Sequence, residues 1–152
     1  MIDRRQSRIL AMQALCQLEV AGEEFMTHLV EFLNDESPPP GVSDYACELV
    51  RGIWSGLAEL DARIQAAALA WDLKRMNAVD RNVLRVAVCE MLHRPAVPRK
   101  AVINEAVEIA KAFSTAESGA FINGILDAIR KSLEAAPAIE PPTLPETLTS
   151  EN

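Results

Sequence analysis

Aromatic residues are scarce in this chain, at 5% against 49% for hydrophobic residues as a whole, and it holds only two histidines and three cysteines. A core with so few rings has to be filled by Leu, Ile, Val and Ala, which suits packed helices. His28 and His93 have no Cys or Ser partner at a motif spacing, so nucleophilic catalysis is not expected. Cys16, Cys47 and Cys89 form an odd set without C-x-x-C spacing, and each falls in an apolar helical pattern. Free thiols packed as small hydrophobes are therefore expected, with no metal site and no disulfide framework. No glycine-rich phosphate loop follows a strand pattern, and no cofactor is expected. No apolar run reaches the ~18 residues that span a bilayer, and the start has no signal-peptide core, which makes a cytoplasmic protein the expectation.

Bases are also in the minority, and the net charge of -7 taken alone argues against nucleic acid. Position matters more than the sum. From Glu134 onward there are four acids and no base, in a stretch rich in Pro, Thr and Ser. Such a composition does not offset its ordering entropy, so residues 137–152 are expected to be a disordered tail on a single helical domain over residues 1–136.

What the chain does have is helical periodicity almost throughout, and no strand pattern with credible hairpin turns. Asp3 and Gln6 are placed to open a helix that runs to Ala21, carries Ala11, Leu15 and Leu18 on one side, and stops at Gly22. A second short helix over residues 23–34 ends at the Pro38-Pro39-Pro40 run. Ser43 is placed to cap a third, and Gly52 and Gly56 mark a bend that separates it from a fourth. Trp71 to Met76 reads as a short connection. Asn77 is well placed to cap a fifth helix, with Asp80 in its first turn and Arg81 and Arg85 on its rim.

The stretch Lys100 to Leu126 reads as an αα-hairpin. Val102, Ile103, Ala106, Val107, Ala110 and Phe113 form one apolar stripe, and Glu105 and Glu108 fall on the wet face. Ser114-Thr115-Ala116-Glu117 has the form of a capping box, which predicts that the last helix begins there. Phe121, Ile122, Ile125, Leu126 and Ile129 supply its apolar side, and Asp127 can pair with Arg130 or Lys131. The sum is an all-α fold of about seven helices.

The first helix poses an electrostatic conflict. Arg4, Arg5 and Arg8 crowd its opening turns, where the macrodipole favours anions by about 0.3 to 1 kcal/mol per charge. They are expected to overhang the core edge, and an anionic ligand such as a phosphate would remove the conflict.

Three blocks resemble one family. RRQSRILAMQALCQLE is similar to the arginine-rich first helix of the NusB transcription antitermination family, WDLKRMNAVDRNVLRVAVCEML to its middle segment, and PRKAVINEAVEIAKAF with FINGILD to its end. The resemblance implies two small three-helix bundles packed across one another. It also implies an adaptor, not an enzyme, that binds the boxA element of ribosomal RNA transcripts with NusE, a small-subunit ribosomal protein, and helps assemble the antitermination complex on RNA polymerase. By position, Arg4, Arg5 and Arg8 match the basic turn that meets RNA, Glu117, Ser118 and Phe121 match the opening of the last helix, and Arg99 adds a cation before the sixth. Lys74, Asp80, Arg81 and Arg85 match the segment that faces NusE. Cys16 and Cys89 stand where the family often has tyrosine, and Gln6 interrupts the arginine run, which thins the RNA surface. The alternative is a protein-interaction adaptor whose RNA contact comes mainly from its partner. Monomer and homodimer are both left open.

Overall fold

In a computed structural model of the chain, residues 4–135 are described, and they form seven α-helices and two short 3-10 turns with no strand among them. The helices are α1 (Arg4–Ala21), α2 (Leu29–Asn34), α3 (Val42–Ser55), α4 (Leu57–Ala67), α5 (Ala78–His93), α6 (Arg99–Phe113) and α7 (Ser118–Ala135). One 3-10 turn, Glu23–His28, precedes α2, and the other, Leu73–Arg75, lies between α4 and α5. The expected cap at Asp3 and the expected tail lie outside the described residues. Among those described, no helix is long and apolar enough to cross a membrane.

α1, α2 and α3 pack against one another, as do α5, α6 and α7. α1 and α3 also contact α5, which joins the two three-helix groups, and α4 closes the side formed by α5 and α7. Their apolar residues make one continuous core, with Leu15, Leu49, Ile53, Ile64, Leu84, Ile122 and Leu126 nearly inaccessible.

Several boundaries follow directly from local chemistry. Gly22 takes φ 85, a left-handed conformation that costs glycine little, and its N–H closes α1 on the Leu18 carbonyl at 2.8 Å. The Asn77 side chain accepts from the Asp80 N–H at 2.8 Å and caps α5.

Two expected caps are replaced. Gly41, at φ 87, takes the N-cap position of α3 in place of Ser43. Ser7 of α1 donates to the Val42 carbonyl at 2.8 Å, which fixes that entry to the first helix. The capping box at Ser114 does not form, and α7 starts at Ser118 instead. The Ser114 hydroxyl is drawn into contacts with Asn77 and Ser118, so it is not free to cap a turn of its own. Phe113, expected on the apolar stripe of α6, is 43% exposed at that helix's end.

α5 departs most from a simple amphipathic reading. Every residue from Asn82 to Met91 is buried, because helices surround it, and the run includes the polar Asn82, Arg85 and Glu90. Glu90 is fully buried and accepts from Arg8 Nε at 2.7 Å and from the Tyr45 hydroxyl. A buried charge is tolerated only when paired and hydrogen-bonded, so α1, α3 and α5 are tied together through this one carboxylate.

Removing one partner of such a pair is expected to cost about 3 to 5 kcal/mol, whereas replacing both with apolar residues costs far less. Urea denaturation should therefore show Arg8→Ala strongly destabilised and the double variant Arg8→Met/Glu90→Leu recovering much of that loss. A double variant as unstable as the single one would show that the pair is not what holds these helices.

Candidate functional site

The arginines at the mouth of α1 are held by the protein's own groups, contrary to the expected overhang. Arg8 is only 7% exposed and lies along the core against Glu90. Arg5 keeps about half its side chain in solvent, and its fork grips Glu105 of α6 through two bonds of 2.7 and 2.8 Å. The Arg5 fork holds the Glu105 carboxyl below its ordinary value, against the opposing pull of burial. Glu105 is thus not the solvated residue its face predicts, although Glu108 is exposed and pairs with Lys111 one turn on. The Arg4 guanidinium lies 4.6 Å from the centre of the Tyr45 ring, and Arg94 approaches the same ring at 5.6 Å. Burial and the bond to Glu90 push the Tyr45 phenol up to about 12, so it stays a hydrogen-bond donor across the physiological range. Carboxylates from α5 and α6 therefore offset the misplaced cations of α1. Arg99, at the start of α6, is half-buried.

The residues expected to face a protein partner are also drawn inward. Arg85 is 6% exposed, and its guanidinium spans Asp61 of α4 at 2.7 and 2.8 Å and Glu19 of α1 at 2.6 Å. Arg81 grips the same Glu19 through bonds of 2.7 and 2.6 Å, and its remaining nitrogen donates to the carbonyls of Met76 and Leu73. Asn82 donates to Glu19 at 3.2 Å. Asp80 is buried between α5 and α7, where Ser118 donates to it at 3.1 Å. The physical reason is common to Asp80, Arg81 and Arg85. α5 is enclosed by α1, α4 and α7, so a side chain on its apparent rim meets another helix. Lys74 is the one residue of that set that is exposed.

The last helix opens onto a cleft. Trp71, Arg75, Asp80, Glu117, Ser118 and Phe121 line an open space of about 660 Å³ where the start of α5, the start of α7 and the connection after α4 converge. Trp71 and Phe121 stand edge to face with ring centres 5.0 Å apart, and Trp71 is 56% exposed. Glu117 is exposed, Ser118 is buried and Phe121 is half-buried. The cleft thus combines an apolar wall with polar groups at two helix N-termini. Trp71 went unassigned in the sequence because its segment reads as a mere connection. The available signal was a tryptophan at the point where an alanine-rich helical pattern gives way to the charged Asp72-Leu73-Lys74-Arg75.

The sequence profile of the NusB family matches residues 5–131. The chain belongs to the NusB family. Relatives agree over most of their length. The transcription antitermination protein NusB of Symbiobacterium thermophilum is 41% identical over 143 residues, covering 89% of this chain and 94% of the relative. The NusB of Bdellovibrio bacteriovorus is 43% identical over 131 residues, covering 85% and 96%. Among solved structures, NusB of T. maritima superposes with a TM-score of 0.78 at 40% identity, covering 90% of this chain and 96% of that one. A chain from a structure of the antitermination factors NusB and NusE in complex with double-stranded RNA superposes at 0.75 with 25% identity, covering 84% and 96%. The NusB match runs from the second residue of α1 to the last turn of α7, so Arg5, Arg8 and the aromatic cleft lie inside it and Arg4 lies just before it.

Glu19 is the hub of the inward-drawn arginines. Burial pushes its carboxyl up, but the hydrogen bonds and charges of Arg81 and Arg85 outweigh that and hold it below its ordinary 4.5. A carboxyl lowered on folding contributes stability above its unfolded value, and the contribution is lost as pH falls through the folded one. Stability measured by urea midpoint should therefore decline as the pH drops below about 4.5, and Glu19→Gln should be less stable at pH 7 with a flatter decline in acid. An unchanged acid limb in that variant would contradict the assignment.

Proposed function

We propose that the chain is an RNA-binding transcription antitermination factor that recognises a boxA-type single strand together with NusE and helps assemble the antitermination complex on RNA polymerase. The observation that carries this reading is the Trp71–Phe121 pair at the opening of α7, in a chain of the NusB family. Unpaired bases are read by stacking on aromatic faces, and the cleft offers two rings with Glu117 and Ser118 beside them. The relative solved with NusE and RNA supports the partner assignment. Its place of action is the cytoplasm, where transcripts are made.

The roles divide by exposure. Arg5 and Arg99, with Arg4 at the margin, supply the phosphate contacts, because their side chains are not sealed in the core. Arg8 acts one step back, by bracing α1 against α5. Glu105 of α6 and the Ser114 that ends this helix are about 14 Å apart along its axis, so α6 connects the Arg5 fork to the side of the aromatic cleft. Lys74, exposed beside the cleft, marks the face offered to NusE, while Asp80, Arg81 and Arg85 support that face from beneath.

A second reading has one observation in its favour. Arg5, Arg8, Arg81 and Arg85 are all paired with the chain's own carboxylates, which suits an adaptor whose RNA contact comes mainly from NusE. Titrating labelled boxA RNA with the chain alone and then with NusE separates the two. In the leading reading Phe121→Ala weakens binding by about 1 to 3 kcal/mol, and Arg5→Ala reduces the salt slope by about 0.7. An unpaired strand also outcompetes a duplex of the same sequence. If both variants bind like the parent, with NusE present and absent, the RNA site lies elsewhere.

A further inference from the structure

We infer that Gln65 is a positioning residue for RNA binding, holding the loop that presents Trp71 to the cleft; this rests on the reading that the cleft takes an unpaired base.

The segment between α4 and α5 has little structure of its own. It contains a three-residue 3-10 turn, Leu73–Arg75, capped by Asp72, and a tight turn in which the Trp71 N–H reaches the Ala68 carbonyl at 2.9 Å. Ala68 and Leu73 are anchored in the core, but between them Leu69 is 88% and Trp71 56% exposed. Packing alone does not fix such a stretch, and among the described residues the indole's ring contact is with Phe121.

Two side chains from neighbouring helices supply the missing hydrogen bonds. Gln65, in the last turn of α4, uses both ends of its amide. Its oxygen accepts from the Leu73 N–H at 2.8 Å, and its nitrogen donates to the carbonyls of Trp71 and Ala68. From the other side, Arg81 donates to the carbonyls of Leu73 and Met76. The backbone on both sides of Trp71 is thus bound through one glutamine. Arg81 also carries the Glu19 pair, so changing it disturbs the helix network, whereas the hydrogen bonds of the Gln65 side chain all go to this loop. Only an amide can accept one bond while donating two here; a carboxylate keeps the acceptor and loses both donors. A wall held in place before binding spares the complex the entropy of ordering it, which appears as affinity.

The test uses the full chain with Trp54→Phe, so that Trp71 is the only tryptophan reporting. Acrylamide quenching of Trp71 and affinity for a boxA-type single-stranded RNA are measured for Gln65→Ala and Gln65→Glu, with the urea midpoint as a folding control. Affinity is also measured for Trp71→Ala and for its combination with Gln65→Ala. Both Gln65 variants should show greater quenching of Trp71 and bind the RNA about fivefold more weakly, with nearly unchanged urea midpoints. Combined with Trp71→Ala, the Gln65→Ala effect should vanish, because the loop then presents nothing. Unaltered quenching overturns the proposal, and so does a Gln65→Ala loss of the same size in the Trp71→Ala background. Normal RNA affinity in both Trp71→Ala and Phe121→Ala removes the cleft reading and the role of Gln65 in binding with it, even if the quenching shows that the amide holds the loop.

Discussion

A helix enclosed on nearly every side, yet carrying an amide, a guanidinium and a carboxylate, is the constraint that organises this protein. α5 cannot leave Asn82, Arg85 and Glu90 unpaired without the cost of isolated polar groups in a low-dielectric interior. Their partners come from three surrounding helices: Glu19 and Arg8 from α1, Tyr45 from α3 and Asp61 from α4. The apolar contacts that surround α5 are non-directional and would tolerate some sliding. The polar ones fix how far each neighbour is rotated and shifted along α5. The two three-helix groups meet at this helix, so its pairings also fix how the groups face each other.

The same pairings change what the arginines near the start of α1 mean. Three cations in the first turns of a helix oppose its macrodipole, and an external anion is one remedy. Here the remedy is largely internal, since Glu90 and Glu105 sit where a phosphate would be welcome. Arg8 is consumed in the core, while Arg5 remains half in solvent in a pair of the exposed kind that contributes little and exchanges readily. A cation held in an exposed fork is already oriented for a pair of anionic oxygens, as on a phosphate, and gives up little when it changes partner. The acidic sum of the chain is therefore compatible with a local RNA-binding surface, because the charges that decide it are a few side chains at two helix ends.

The helices were legible in the sequence because their causes are local. Stripes at three- and four-residue steps, Gly22 at a left-handed stop and Asn77 as a cap each involve residues within one or two turns. Membership of the family was legible from three ordered blocks. What stayed hidden depends on distance along the chain. Glu105 looks solvated until Arg5, one hundred residues earlier, is brought against it, and Arg8 looks exposed until Glu90 arrives from eighty-two residues away. Ser114 and Glu117 satisfy a local capping pattern that loses to a tertiary one, because Asn77 and Ser118 compete for the same hydroxyl. Of the site, Phe121 and its flanking residues could be placed from the resemblance, but Trp71 and Gln65 could not, since neither sits in a periodic pattern that would mark it.

In the function proposed, recognition then falls where the helices stop. The core fixes seven rods, and the groups proposed for recognition lie at the mouth of α1, the opening turn of α7 and the connection into α5. A loop is free to vary without penalty to the core, but a binding surface needs its side chains in place before the ligand comes. This chain meets both demands by giving the connection hardly any structure of its own and lending it hydrogen bonds from α4 and α5. One of those lenders, Arg81, is itself held by Glu19, which also holds Arg85 in the core. The position of Trp71 is thereby coupled to the pairing that fixes α1 and α4 against the central helix. A change deep in that network would reach the cleft through the loop backbone, without any residue of the cleft being altered.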